Sequence, residues 1–177
     1  MTLTAPHSAG RPGRLDLDAA AGEAVRHHRP MTDAEATLLA VHLAATAGML
    51  GVIWFVQLVQ YPLFAAVGED GFAAYEAMHQ RRTSMVVGPL MAVEGVSALV
   101  ITVWLRDVVG LALPLIGLGL LAVIHASTTF VQVPAHMRLA DGFDAATHRR
   151  LVRSNWVRTA GWTLRTVLAA AMIVVAA

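Results

Sequence analysis

Three ionisable residues, Glu94, His125 and Arg165, interrupt apolar stretches of the chain, and His79, His136, His148, Asn155 and Arg158 flank those stretches. Imidazole and carboxylate donors suit iron, copper or zinc, so His79, His125, His136, His148 and Glu94 are candidate ligands of a transition metal, iron or copper above all. Arg165, Asn155 and Arg158 would then orient a substrate or balance charge, which makes them catalytic candidates with His125 and Glu94. No pair of these histidines has the i, i+4 spacing of a helical metal motif, so the fold itself must gather the set. Haem on a single axial His125 is a further option. His42 lies at another depth and is read as structural. A plainer reading uses the same residues: Glu94 and Arg165 pair as buried ions, and nearby Ser, Thr and Gln side chains bind backbone as packing contacts.

The elements that must position these groups follow from composition. Of 177 residues, 56% are hydrophobic and 14% charged, too apolar for an ordinary soluble domain. Four windows hold the excess. Thr37 to Tyr61 has one strongly polar ionisable group, His42; Met85 to Leu105 has the acid Glu94; Leu111 to Val131 has His125; Thr159 to Ala177 has Arg165. Each is close to the ~20 residues with which an α-helix crosses a hydrocarbon layer. The runs lack the alternation of a membrane β-barrel. The expected fold is therefore all-α, an integral membrane four-helix bundle with helices near 35–61, 85–105, 111–132 and 156–177.

Depth follows from counting along those helices. Glu94 is ten residues beyond Ser84 and Arg165 ten beyond Asn155, roughly 15 Å down their helices, and His125 is roughly 10 Å before Gln132. Ionisable groups facing lipid at this depth are costly, so all three are expected to point into the bundle. His125, Thr128, Thr129 and Gln132 form one stripe at helical spacing, as do Asn155, Arg158, Thr159, Trp162, Arg165 and Thr166. The bundle should thus have a polar cavity, with His79, His136 and His148 at its mouth.

A polar passage occurs twice. Gln60-Tyr61-Pro62, Gly71-Phe72, His79 and Arg81-Arg82 recur as Gln132-Val133-Pro134, Gly142-Phe143, His148 and Arg149-Arg150, with offsets of 72, 71 and 69. The chain reads as two parallel two-helix repeats. Pro62 and Pro134 are expected to end the first and third helices. The long connections, 62–84 and 134–155, are expected to hold short interfacial helices entered at Gly71 and Gly142. Ile53 is the counterpart of His125, so the copies differ at the deepest histidine.

Residues 1–31 lack a segment apolar enough for a signal peptide and read as a disordered tail, leaving 32–177 as the membrane domain. Thr32 to Glu35 is a capping box that starts the first helix, and Met31 just before it is an alternative translation start. Cysteine is absent, which excludes disulfides and thiol catalysis. Seven arginines on the side of the long connections against five on the other favour a cytoplasmic side for those connections, in a multi-pass protein expected in the inner membrane.

Trp54-Phe55-Val56-Gln57 through Tyr61-Pro62, Phe72-x-x-Tyr75-x-x-x-His79 and Asn155-Trp156-x-Arg158-Thr159 resemble small bacterial four-helix membrane proteins, with a layout similar to the anthrone-oxygenase-like family. That resemblance, over about residues 36–177, implies oxygen-dependent oxidation of polyketide-type aromatic compounds. The leading expectation is a membrane-embedded, metal-dependent oxygenase acting on a small lipophilic or aromatic substrate, with the lipid bilayer and a second copy of the chain as partners and no nucleic acid. The alternatives are an oligomeric carrier or binding protein using Glu94 and Arg165 as a proton-linked or anion site, and a structural membrane subunit.

Overall fold

The structure, a computed structural model, describes residues 31–177, and every regular element among them is helical. Apart from Met31, the expected disordered tail lies outside the described residues. Four helices are long and apolar enough to cross a membrane: α1 (Asp33–Phe64), α2 (Glu69–Trp104), α3 (Ala112–Ala140) and α4 (Ala145–Ala176). The capping box is present. Thr32 N–H donates to the Glu35 carboxylate at 2.9 Å, and Glu35 N–H donates to the Thr32 hydroxyl at 3.3 Å.

The helices run further than their apolar cores. The interfacial helices expected between residues 62 and 84 do not stand apart, because Phe72 to His79 belong to the first third of the 36-residue α2. Likewise His148 falls in the first turn of α4, behind an Asp144 N-cap that accepts from Thr147 N–H at 2.6 Å. At ~1.5 Å per residue α2 is about 54 Å long, well beyond a hydrocarbon layer of about 30 Å, so its polar N-terminal part extends past any apolar slab. Gly71 lies inside α2. The turn into α2 is made by Gly68, whose φ of 84° is left-handed and disfavours any side chain.

Neither proline ends its helix. Each follows a π-helical segment, Val56–Gln60 in α1 and Thr128–Gln132 in α3. Tyr61 N–H bonds back to Val56 C=O and Val133 N–H to Thr128 C=O, five residues behind in both cases. The wider turn relieves the clash of a proline ring with the carbonyl four residues before it, so the helix continues. The two segments are offset by 72 residues, the spacing of the Gln-x-Pro motifs.

The helices pack in a ring. α1 lies against α2 and α4, and α3 against α4 and α2, so α1 and α3 occupy one diagonal and α2 and α4 the other. Leu39, Ile101 and Met172 fill the end near the α2–α3 turn, Met49, Ile53, Ile124 and Trp162 the middle, and Tyr61, Phe64, Phe72 and Leu151 the opposite end. In the middle layer α3 and α4 approach closely at Gly161, where an added Cβ would lie 2.7 Å from Ile124 Cγ1.

Candidate active site

Two buried polar clusters cross the bundle, one on each diagonal. In the first, Arg165 of α4 pairs with Glu94 of α2 and also donates to the Gly117 carbonyl of α3. Both side chains are fully enclosed. His42, buried beside them, meets Ser97 Oγ at 2.8 Å through Nδ1, and Ser97 donates to the Glu94 carbonyl at 3.0 Å. The free space next to the pair is about 10 Å³, room for no more than one water.

The second cluster lies at the end where α1 turns into α2. His136 Nδ1 meets Glu76 Oε1 at 2.5 Å, and His136 Nε2 meets the Tyr61 hydroxyl at 2.9 Å. A buried carboxylate, an imidazole and a phenol are thus joined in one line across α2, α3 and α1. Gln80 holds the arrangement by donating to Glu76 Oε1 at 3.1 Å and to the His136 carbonyl at 3.2 Å. With Nδ1–H given to the carboxylate, Nε2 is left to accept from the phenol. The second oxygen of Glu76 is buried without a partner.

The line ends on a cavity. Tyr61, His79 and His136 line a space of about 180 Å³ with Arg158, Gln132 and the apolar side chains of Met49, Val52 and Val87. Arg158 is buried, its Nη1 donates to Asn155 Oδ1 at 3.1 Å, and its Nε has no partner. No carboxylate among the described residues pairs with it. Asn155 is itself held by donating to Gln57 Oε1 at 2.9 Å, and Gln57 donates to the Val152 carbonyl at 3.2 Å. Gln57 belongs to the π segment of α1, so that irregular turn fixes the cation of the cavity through two hydrogen bonds. Tyr61 follows the same segment directly, and His136 follows its counterpart in α3 by four residues.

The expected metal ligands are not brought together. His125, expected to point inward, is exposed on α3, and its Nδ1 bonds only to the Leu121 carbonyl one turn back at 2.9 Å. Glu94 is taken by Arg165, and His148 donates to the Tyr61 carbonyl at 2.8 Å while stacking on Phe64. His79 and His136 do lie face to face, with ring centroids 5.7 Å apart. Among the described residues no three His, Asp or Glu side chains are grouped as a metal ion would need. Of the expected catalytic residues, Asn155 and Arg158 reach the cavity cluster, whereas Glu94 and Arg165 form the other one.

Neither Glu76 nor Tyr61 is among the sequence-expected site residues, although Tyr61 lies in the repeated Gln-x-Pro passage; Glu76 nonetheless carries a legible signal. It precedes Glu94 by 18 residues, five turns of 3.6, and so shares its inward face. The class defined so far is an all-helical bundle with four helices of membrane-spanning length and a buried acid–base line on a cavity. No protein-family profile, curated protein or solved structure matches this chain.

Proposed function

We propose that the protein is a membrane-embedded oxygenase that begins by removing a proton from a small lipophilic carbonyl compound. The hydrogen-bonded line Glu76–His136–Tyr61, ending on a cavity that also holds Arg158, carries the reading. Tyr61 accepts the substrate proton as its own passes to His136 Nε2, and the Glu76 carboxylate stabilises the imidazolium that results. Arg158 faces the enolate oxygen on which the negative charge develops, as a fixed cation already in place before that charge appears. Dioxygen is the oxidant. A methylene flanked by a ring and a carbonyl becomes a ketone, with one oxygen atom retained and the other leaving with the two hydrogens as water, which balances as R₂CH₂ + O₂ → R₂C=O + H₂O.

In this reading the four helices span the inner membrane and the site sits where the apolar part of α2 meets its polar extension, at headgroup depth. The recurrence of the π segments supports two parallel repeats whose corresponding turns serve one site. The proton path runs through side chains of this chain alone, from Tyr61 to His136 and Glu76. The anion-site form of the carrier alternative finds less support, since the free space beside Arg165 is about 10 Å³. The test is consumption of labelled dioxygen by the protein in lipid nanodiscs given β-tetralone, a single aromatic ring fused to a ketone with such a methylene. Incorporation of one label per product supports the reading. Incorporation unaffected by Tyr61→Phe and Arg158→Gln removes it.

A further inference from the structure

The active-site cavity has a neighbour that limits what the substrate can be. A cavity of about 150 Å³ holds one benzene ring. The inner cavity, at about 180 Å³, therefore takes one aromatic ring with its substituents and not three fused rings. A compound of that size is only moderately lipophilic. The remainder of a membrane-borne substrate must lie elsewhere.

A groove of about 440 Å³ on the outer face of α1 and α2 provides the place. Gly51, Phe55 and Val86 form its outer part, with Phe55 and Val86 both more than half exposed. Val52, Val56, His79 and Thr83 border both the groove and the inner cavity, so the two spaces adjoin along these four side chains. Gln60, His79, Arg82 and Thr83 supply the polar groups of the groove, and Val52, Phe55, Val56 and Val86 its apolar side chains. Gly51 presents no side chain there.

Resting on the oxygenase reading, we infer that the substrate is an amphiphile whose carbonyl-bearing ring sits against Arg158 while an apolar chain leaves between α1 and α2 into this groove. It enters sideways from the bilayer, ring toward the headgroup layer and chain toward the hydrocarbon, in the posture such a molecule already has in a membrane. The chain gains little by leaving lipid for the groove, because lipid tails are as apolar as the groove wall. The ring and its carbonyl supply the anchoring, and the groove supplies direction.

The experiment uses the full chain in nanodiscs and two photoreactive probes. One is β-tetralone with a diazirine-tipped alkyl chain on its aromatic ring; the other is the matching tetralin without the carbonyl. The expected result is that adducts of the ketone probe concentrate severalfold on 51–56 and 82–87 over exposed positions of α4 such as Leu164 and Val167. Untagged alkyl-β-tetralone competes with them, and the tetralin probe shows no such preference. Val86→Trp, a change at an exposed position, moves the adducts off the groove. Adducts spread evenly over the exposed faces, or equal preference from both probes, overturn the inference. Failure of the oxygenase reading looks different: groove adducts persist, but Glu76→Gln and Tyr61→Phe leave turnover unchanged. Even adducts combined with turnover lost in those variants leave the oxygenase and remove the groove.

Discussion

Tyr61 and His136 stand on the diagonal helices α1 and α3, yet the phenol hydroxyl and imidazole Nε2 meet at 2.9 Å beside the cavity. The other diagonal is closed by Glu94 and Arg165. The bundle thus separates two polar tasks that composition alone does not distinguish. One cross-link encloses its charges completely, and the other leads from a buried carboxylate to open space.

Replacing Glu76 with Gln keeps the shape of the side chain and removes the charge that stabilises imidazolium at His136. Turnover should fall at least about 100-fold, the scale of a lost positioned general base. Thermal unfolding in detergent should change little by comparison. Rates within a few fold of wild type would show that the carboxylate has no part in the proton path.

Glu94 and Arg165 should behave as a structural pair. Arg165→Met or Glu94→Gln alone leaves a buried charge or a broken pair and should destabilise by about 3–5 kcal/mol, whereas the double variant should recover much of the loss. Unfolding temperatures of the singles and the double, measured in one detergent, check this. Singles as stable as wild type would contradict the enclosed geometry.

Gly161→Ala should destabilise by about 1–3 kcal/mol, the usual cost of overpacking, since the new methyl meets Ile124 Cγ1. Ile124→Ala in the same chain should relieve the clash. A double variant whose loss equals the sum of the Gly161→Ala and Ile124→Ala losses would show that no clash operates at this crossing.

His125→Ala should leave turnover and bound metal unchanged, because its ring lies on the outside of α3. Paired activity and metal measurements on wild type and variant decide the matter. A loss of either would restore the inward histidine that the residue pattern suggests.

That histidine shows where sequence reasoning stops. Hydropathy places four helices, and depth counting sets Glu94 and Arg165 at one level, where they do meet. The same counting puts His125 on a stripe with Gln132, but only if the intervening turns are α-helical. Each π residue turns the chain by roughly 20° less than an α residue, so the five from Thr128 to Gln132 swing the face by about a quarter turn. Gln132 is consequently buried and His125 exposed. Glu76 is obscured differently: the polar residues before Ser84 read as a connection, yet they continue the face of α2. The prolines mark both π segments in the sequence, but as breaks rather than as widened turns.

The most direct measurement separates proton transfer from oxidation. With dioxygen excluded, β-tetralone in heavy water should exchange the hydrogens of its benzylic methylene faster with nanodisc-embedded protein than with empty nanodiscs. That excess should vanish in Tyr61→Phe and in His136→Gln. Exchange equal to the empty-disc rate in the wild type, or undiminished in both variants, would contradict the account that Glu76, His136 and Tyr61 form the base of an enzyme.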